Sequence, residues 1–184
     1  MTLGLHEACE LNELLLSCTN SINSMGLFLN QVKCAELKSI IQKHMAAHIQ
    51  DYNMKVEWAS KEQSTQKLQV PPMPAATSPT PSGQTQPVMP NPQTTALDDR
   101  AIATSYLLTL KRAGREYAWA TFETTDPQLR TFLEDAFEMC SRHAYEIGQY
   151  MISKGYYPIS TVPEAYMSQL SGTYQTVKEP AIVH

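Results

Sequence analysis

Two histidines, His44 and His48, are the residues of this sequence whose type and spacing could most readily do chemistry. They lie four residues apart in a segment with a helical pattern, so they share one face of a helix. Two imidazoles placed in this way could bind a transition metal if carboxylates from neighbouring helices faced them. Glu13 and Glu116, in two other predicted helices, are the candidate carboxylates. The same histidines could instead hydrogen-bond across a bundle or lie at its solvent edge.

The usual ligand set of a di-iron helical bundle is missing from the sequence. Such a site needs a Glu from each of two helices and a Glu-x-x-His pair from each of the other two. The sequence contains no Glu-x-x-His, and Glu138 and His143, five residues apart, are placed on different faces of their helix. It also has no nucleophile elbow and no glycine-rich phosphate loop. We therefore expect no enzyme activity and no cofactor.

Charge and composition exclude several classes of protein. The net charge is −4 and no run of Lys or Arg occurs, which argues against a nucleic-acid partner. The longest apolar run is far below the roughly 18 residues of a membrane span. The first ten residues lack the basic and apolar regions of a signal peptide, so we expect synthesis in the cytoplasm. The four cysteines include no CxxC pair and are interpreted as buried or half-buried thiols.

Apolar residues recur with the helical period in four segments. The predicted helices cover about 5–32, 35–62, 97–124 and 127–155. The last has the clearest boundaries, with Asp126 as its cap, Pro127 in its first turn and Gly155 at its end. In the second helix the predicted buried stripe consists of Leu37, Ile40, Ile41, Met45, Ile49, Tyr52, Val56 and Ala59.

These segments predict an all-α protein, an antiparallel four-helix bundle made of two helical hairpins. The first hairpin covers 5–62 and the second 97–158, and they pack together as one bundle. The linker 63–96 holds most of the twelve prolines and much Thr, Ser and Gln, so we expect it to be mobile and to bury no core. It is long enough to cross the bundle, and two hairpins with one long crossover form the ferritin-like arrangement. The segment 159–184 is predicted to be a flexible tail with a weak helical pattern after Pro163.

The second hairpin resembles the coat F domain. The resemblance is carried by "LLTLK" at 107–111, "DPQLR" at 126–130 and "YMISKGYYP" at 150–158. Membership of the spore coat protein F family implies a ferritin-like bundle in a spore-forming bacterium. It also implies synthesis in the mother-cell cytoplasm during sporulation and deposition in the spore coat. None of the matching pieces is catalytic, so the resemblance indicates a family and no reaction.

We interpret the chain as a structural interaction protein of the spore coat. The expected partners are other spore coat proteins, with a homo-oligomer as a further possibility. Tyr156 and Tyr157 are candidate contact residues, although both could simply pack on the end of the bundle. Two alternatives stay open: a degenerate ferritin-like metal-binding protein using His44 and His48, and a bundle that binds a small molecule in its core.

Overall fold

The computed structural model describes residues 3–61, 63–76 and 87–178 of the chain. Four long helices cover most of these residues: α1 (Leu5–Gln31), α2 (Ala35–Lys61), α3 (Asp99–Glu123) and α4 (Pro127–Ser153). A short helix, α5 (Glu164–Thr173), follows them. The predicted all-α class is confirmed, and the four bundle helices begin and end within about two residues of their predicted bounds.

Local chemistry explains where these helices begin and end. The Asp98 carboxylate accepts a hydrogen bond from the Ala101 N–H at 2.8 Å and so caps α3. The Asp126 carboxylate caps α4 by accepting from the N–H groups of Gln128 and Leu129. After α4, Gly155 has a φ of 70°, the left-handed conformation that ends a helix and that favours glycine.

The two hairpins pack side by side, with α1 beside α3 and α2 beside α4. The end of α1 meets the start of α3, where Asp99 accepts from the N–H groups of Lys33 and Cys34. At the opposite end, Glu7 of α1 accepts from the N–H groups of Thr125 and Asp126 in the turn before α4. Neighbouring helices therefore run antiparallel, and the chain between α2 and α3 must return along the bundle, as predicted for the ferritin-like arrangement.

The buried face of α2 differs from the predicted stripe. Ile49 and Val56, assigned to the core, are 43% and 41% exposed. The observed buried residues of this helix are Leu37, Ile41, His44, His48, Asp51, Met54, Lys55 and Trp58. The prediction was wrong at Ile49 and Val56 because it followed apolar residues only. Four of the α2 residues that face the core are polar or charged.

The core consists of two apolar clusters separated by this polar layer. One cluster surrounds Trp58 and Leu133, and the other surrounds Ile41 and Ile102. Between them along α2 lie His44, His48 and Asp51, which are almost fully buried. Burying polar side chains costs free energy unless they hydrogen-bond to one another, so the layer requires partners from the other helices.

The crossover begins against the bundle. Leu68 is buried in the cluster around Trp58, and the Arg142 guanidinium donates to the backbone oxygen of Pro71. The expectation that the linker buries no core is therefore wrong at Leu68, because one leucine among polar residues is enough to fill a gap between helices. The predicted mobility of 77–86, and of the tail at 179–184, concerns residues outside those that the structure describes.

In the described chain after α4, up to residue 178, no residue is buried in the core. Every residue from 159 to 178 is exposed, including the whole of α5. The helical pattern predicted after Pro163 is present as α5. Within the described residues, no helix is both long enough and apolar enough to cross a membrane.

Candidate functional site

The two predicted metal-ligand histidines lie in the centre of the bundle, but the two predicted carboxylates lie elsewhere. His44 and His48 are buried on one face of α2, as their spacing predicts. Glu13 is exposed on α1. Glu116 accepts from the Ser17 hydroxyl at 2.6 Å and pairs with Arg112 at 2.5 Å on the α1–α3 face. The structure therefore does not bring the four candidate ligands together.

The histidines contact three residues that the sequence did not single out as partners. The ring of His143, from α4, stacks on that of His44 with centroids 3.6 Å apart and an interplanar angle of 14°. The Nδ1 atom of His143 lies 3.4 Å from Nε2 of His48. The Tyr106 hydroxyl, from α3, lies 3.1 Å from Nδ1 of His44, and a Glu146 oxygen lies 2.8 Å from its Nε2.

These imidazoles are neutral near pH 7. Burial lowers the pKa of His44 to about 4, although the hydrogen bond and charge of Glu146 oppose it. Burial also lowers the pKa of His48 to about 4, and it lowers the pKa of His143 well below its ordinary value, with His44 and His48 adding to the effect. A neutral imidazole has one donor and one acceptor nitrogen, so the cluster can satisfy its members by hydrogen bonds.

One helical turn further along α2, the polar layer contains a buried ion pair. The Lys55 ammonium lies 2.5 Å from the Asp51 carboxylate and 2.6 Å from the Tyr117 hydroxyl. Tyr117 and the Cys18 thiol donate to the same Asp51 oxygen, at 2.6 and 2.9 Å. The side chains of Asp51 and Lys55 are both 0% exposed.

Both members of this pair are charged in the folded protein. Burial alone would raise the pKa of Asp51, but the Lys55 ammonium and three hydrogen bonds hold it below its ordinary value. Burial alone would lower the pKa of Lys55, but the Asp51 carboxylate raises it. The same burial raises the pKa of Tyr117, which stays protonated and can donate. The ammonium is thus an internal cation with its own carboxylate.

This layer is suited to holding helices together. Its hydrogen bonds connect α2 to α1, α3 and α4, so each helix contributes at least one polar side chain. Within residues 3–61, 63–76 and 87–178, no group of three or more His, Cys, Asp and Glu side chains is arranged to hold a metal ion. The Lys55 ammonium also places a positive charge in the layer where bundle proteins build metal sites, which opposes a second cation.

The sequence contained a signal for part of this layer. His143 lies three residues after Cys140 and four before Ile147, so its spacing places it on the same face of α4 as these two apolar residues. Asp51 and Lys55 are spaced i, i+4 and continue the face of His44 and His48. This spacing indicates that the four α2 residues share one face, but it does not by itself show that the face is buried.

The candidate contact residues Tyr156 and Tyr157 lie at the end of α4. The N–H of Tyr156 donates to the Met151 carbonyl at 2.8 Å, and its ring lies 6.3 Å from that of Tyr150. Tyr157 is 44% exposed, with the Lys111 ammonium 5.2 Å from the centre of its ring. Tyr156 therefore packs on the bundle, and Tyr157 is the more available of the two to a partner.

Comparison with known proteins finds two similarities. Residues 98–160 match the family model described as the Coat F domain. The fold is similar to the crystal structure of a candidate spore coat protein of Bacillus halodurans C-125, with a TM-score of 0.67 and 13% sequence identity. That alignment covers 89% of this chain and 97% of the other. Among curated protein sequences, no match is found.

Proposed function

This chain belongs to the spore coat protein F family through its Coat F domain, and from that premise we propose that it is a spore coat component that acts in coat assembly. The observation that carries the proposal is the family match over 98–160, which spans the whole α3–α4 hairpin. The fold shared with the Bacillus halodurans protein agrees with it.

The polar layer supports a structural role for the bundle. The histidine cluster and the Asp51–Lys55 pair are buried, and their hydrogen bonds go to each other and to side chains of the neighbouring helices. A catalytic site needs a position where a substrate can reach its reactive groups. We therefore propose that the chain acts through its surface, without catalysis and without a metal bound by His44 and His48.

The surface offers several places where other coat proteins could bind. The outer face of the bundle carries exposed apolar side chains, and the tail presents Tyr166 and Leu170 on α5. Exposed apolar residues on a rigid helical scaffold are suited to protein–protein contacts. The proposed partners are other spore coat proteins, and the proposed route is synthesis in the mother cell followed by deposition around the forespore.

The proposal is tested by locating the protein in sporulating cells of a bacterium that encodes it. The chain is fused to a fluorescent protein under its own promoter, and purified spores are separated into coat extract and core. We expect a fluorescent shell around the forespore and recovery of the chain in the coat extract. Recovery in the spore core, or release with the mother-cell cytosol at lysis, would refute the proposal.

Two single variants make this experiment specific to the folded bundle. Leu133→Asp places a charge at a position that is 2% exposed in α4, whereas Val177→Asp changes a tail residue that is 89% exposed. We expect the first variant to lose its coat localisation and the second to keep it. The fluorescent protein alone should stay in the mother-cell cytosol.

A further inference from the structure

One face of the bundle carries most of the strongly exposed apolar side chains of the four long helices. On α1 they are Leu5, Leu16 and Leu27, spaced by eleven residues, which at about 100° per residue keeps them within one stripe. On α3 they are Leu108, Trp119 and Phe122, which also share a stripe. Leu16 and Trp119 line the same surface groove, of about 520 Å³, so the two stripes adjoin.

This α1–α3 face is opposite the side that the crossover covers. Residues 67–71 of the crossover contact Gln50 of α2 and Arg142 of α4. The large apolar residues exposed on those two helices, Ile49, Val56 and Phe137, are each less than half exposed, whereas Trp119 and Phe122 are 65% and 79% exposed. Among the four long helices, the exposed apolar surface is therefore concentrated on α1 and α3.

The two edges of this face carry opposite charges around the same groove. Glu10 and Glu13 border it on the α1 side. On the α3 side Arg112 pairs with Glu116, which also lines the groove, so Arg115 provides the basic edge. Helix α1 contains no Lys or Arg between Leu5 and Gln31. A two-fold axis parallel to the helices would place the acidic edge of one copy against the basic edge of the other, twice over.

The size of the face is adequate for a dimer. The stripe from Leu5 to Leu27 extends for about 33 Å at about 1.5 Å per residue, and two helices of about 10 Å are about 20 Å wide. The resulting area of roughly 650 Å² is close to the roughly 800 Å² that each partner buries in a standard interface. Trp119 is the type of residue that most often provides the binding energy at the centre of such a contact.

We propose that the α1–α3 face binds a second copy of this chain, with Trp119 of each copy in the groove beside Leu16 of the other. The dimer would be a building unit for the assembly role proposed above, on which this inference rests for its biological setting. The interface is isologous, since each copy contributes the same apolar stripe and both charged edges.

The first test is the molar mass of the full chain in solution, measured by sedimentation over a range of concentrations. We expect the mass of a dimer for the natural sequence and of a monomer for Trp119→Glu. Ile49→Glu, an exposed position on α2, is the matched control and should remain dimeric. Circular dichroism should show the same helix content in both variants, since Trp119 and Ile49 are both exposed.

A charge exchange tests the arrangement of the two copies. Glu13→Arg alone and Arg115→Glu alone should each weaken self-association at least tenfold at low salt, because like charges then face each other. Mixing the two variants should restore a heterodimer, in which both pairs again have opposite signs. Any of three results would overturn the proposal. The natural chain could be a monomer at about 100 µM, the Trp119→Glu variant could remain a dimer, or the mixture of the two charge variants could fail to associate. If the chain is a monomer but still reaches the spore coat, only the dimer proposal is refuted. If the chain is a dimer but is absent from the coat, only the proposed assembly role is refuted.

Discussion

Replacing Lys55 with methionine removes the internal cation while nearly keeping the length of the side chain. In the natural protein the ammonium lies 2.5 Å from Asp51 and 2.6 Å from the Tyr117 hydroxyl, with no exposed surface on the pair. Without it, the Asp51 carboxylate stays buried with only Tyr117 and Cys18 as donors, and its second oxygen already lacks a hydrogen-bond partner. Breaking a buried ion pair from one side costs about 3–5 kcal/mol.

The matched control removes both charges. Asp51→Leu alone leaves the Lys55 ammonium buried without its carboxylate, and the expected loss is again about 3–5 kcal/mol. The double variant Asp51→Leu, Lys55→Met has no buried charge, so its stability should be close to or above that of the natural chain. Because a domain is stable by only about 5–15 kcal/mol, each single loss is large enough to measure.

The free energy of unfolding is measured by urea titration at pH 7, with helix content followed by circular dichroism. A Lys55→Met variant within about 1 kcal/mol of the natural chain would refute the reasoning, because a buried, uncompensated carboxylate cannot be so inexpensive. A double variant as unstable as either single one would also refute it, since it would show that the loss comes from packing and not from charge.

Acidification should destabilise the bundle, because the pKa of His44 and of His48 is about 4 in the folded chain and about 6.5 ordinarily. The two neutral histidines contribute fully to the free energy of unfolding above pH 6.5. This contribution is lost as the pH falls towards 4, by about 3 kcal/mol per histidine. An equal urea midpoint at pH 7 and pH 4.5 would contradict this prediction. Glu7→Gln should lower the free energy of unfolding by about 1–3 kcal/mol at pH 7. Burial raises the pKa of Glu7, but hydrogen bonds from backbone N–H groups, including that of Thr125, outweigh burial and lower the pKa to about 2. In thermal unfolding, the difference between the variant and the natural chain should therefore shrink as the pH falls from 4.5 towards 2. Gly155→Ala should cost about 1 kcal/mol, because its φ of 70° strains any residue with a Cβ, and an unchanged melting temperature would count against it.

Much of the fold could be predicted because its signals are local. Asp126, Pro127 and Gly155 mark the ends of α4 through interactions within a few residues, and all three have the predicted roles. The core residues of α3 are mostly apolar or aromatic, such as Ile102 and Tyr106, so the helical period that predicts this helix also indicates its buried face. Where the buried residues of a helix are the apolar ones, the helical period of the apolar residues is enough to predict its buried face.

The polar layer could not be predicted in this way, because its stability depends on contacts between helices. Asp51 and Lys55 look like an exposed i, i+4 pair until Tyr117, 62 residues after Lys55, supplies a hydroxyl to both. His44 needs Glu146, which is 102 residues away in the chain. The spacing of the histidines correctly predicted a shared face, but their partners depend on which helices are neighbours.

The anchored start of the crossover changes which parts of the chain tolerate an insertion. Because Leu68 and Pro71 are fixed on α2 and α4, the span that must close to reach α3 begins at Pro71 rather than at Lys61. The gain in loop-closure entropy is small, about 0.3 kcal/mol, since it depends only on the logarithm of loop length. The position of an insertion affects stability more than its length does. Residues added between Lys61 and Leu68 would displace the buried Leu68 side chain. Residues added just after Pro71 would only lengthen the connection to α3, at a small cost in loop-closure entropy.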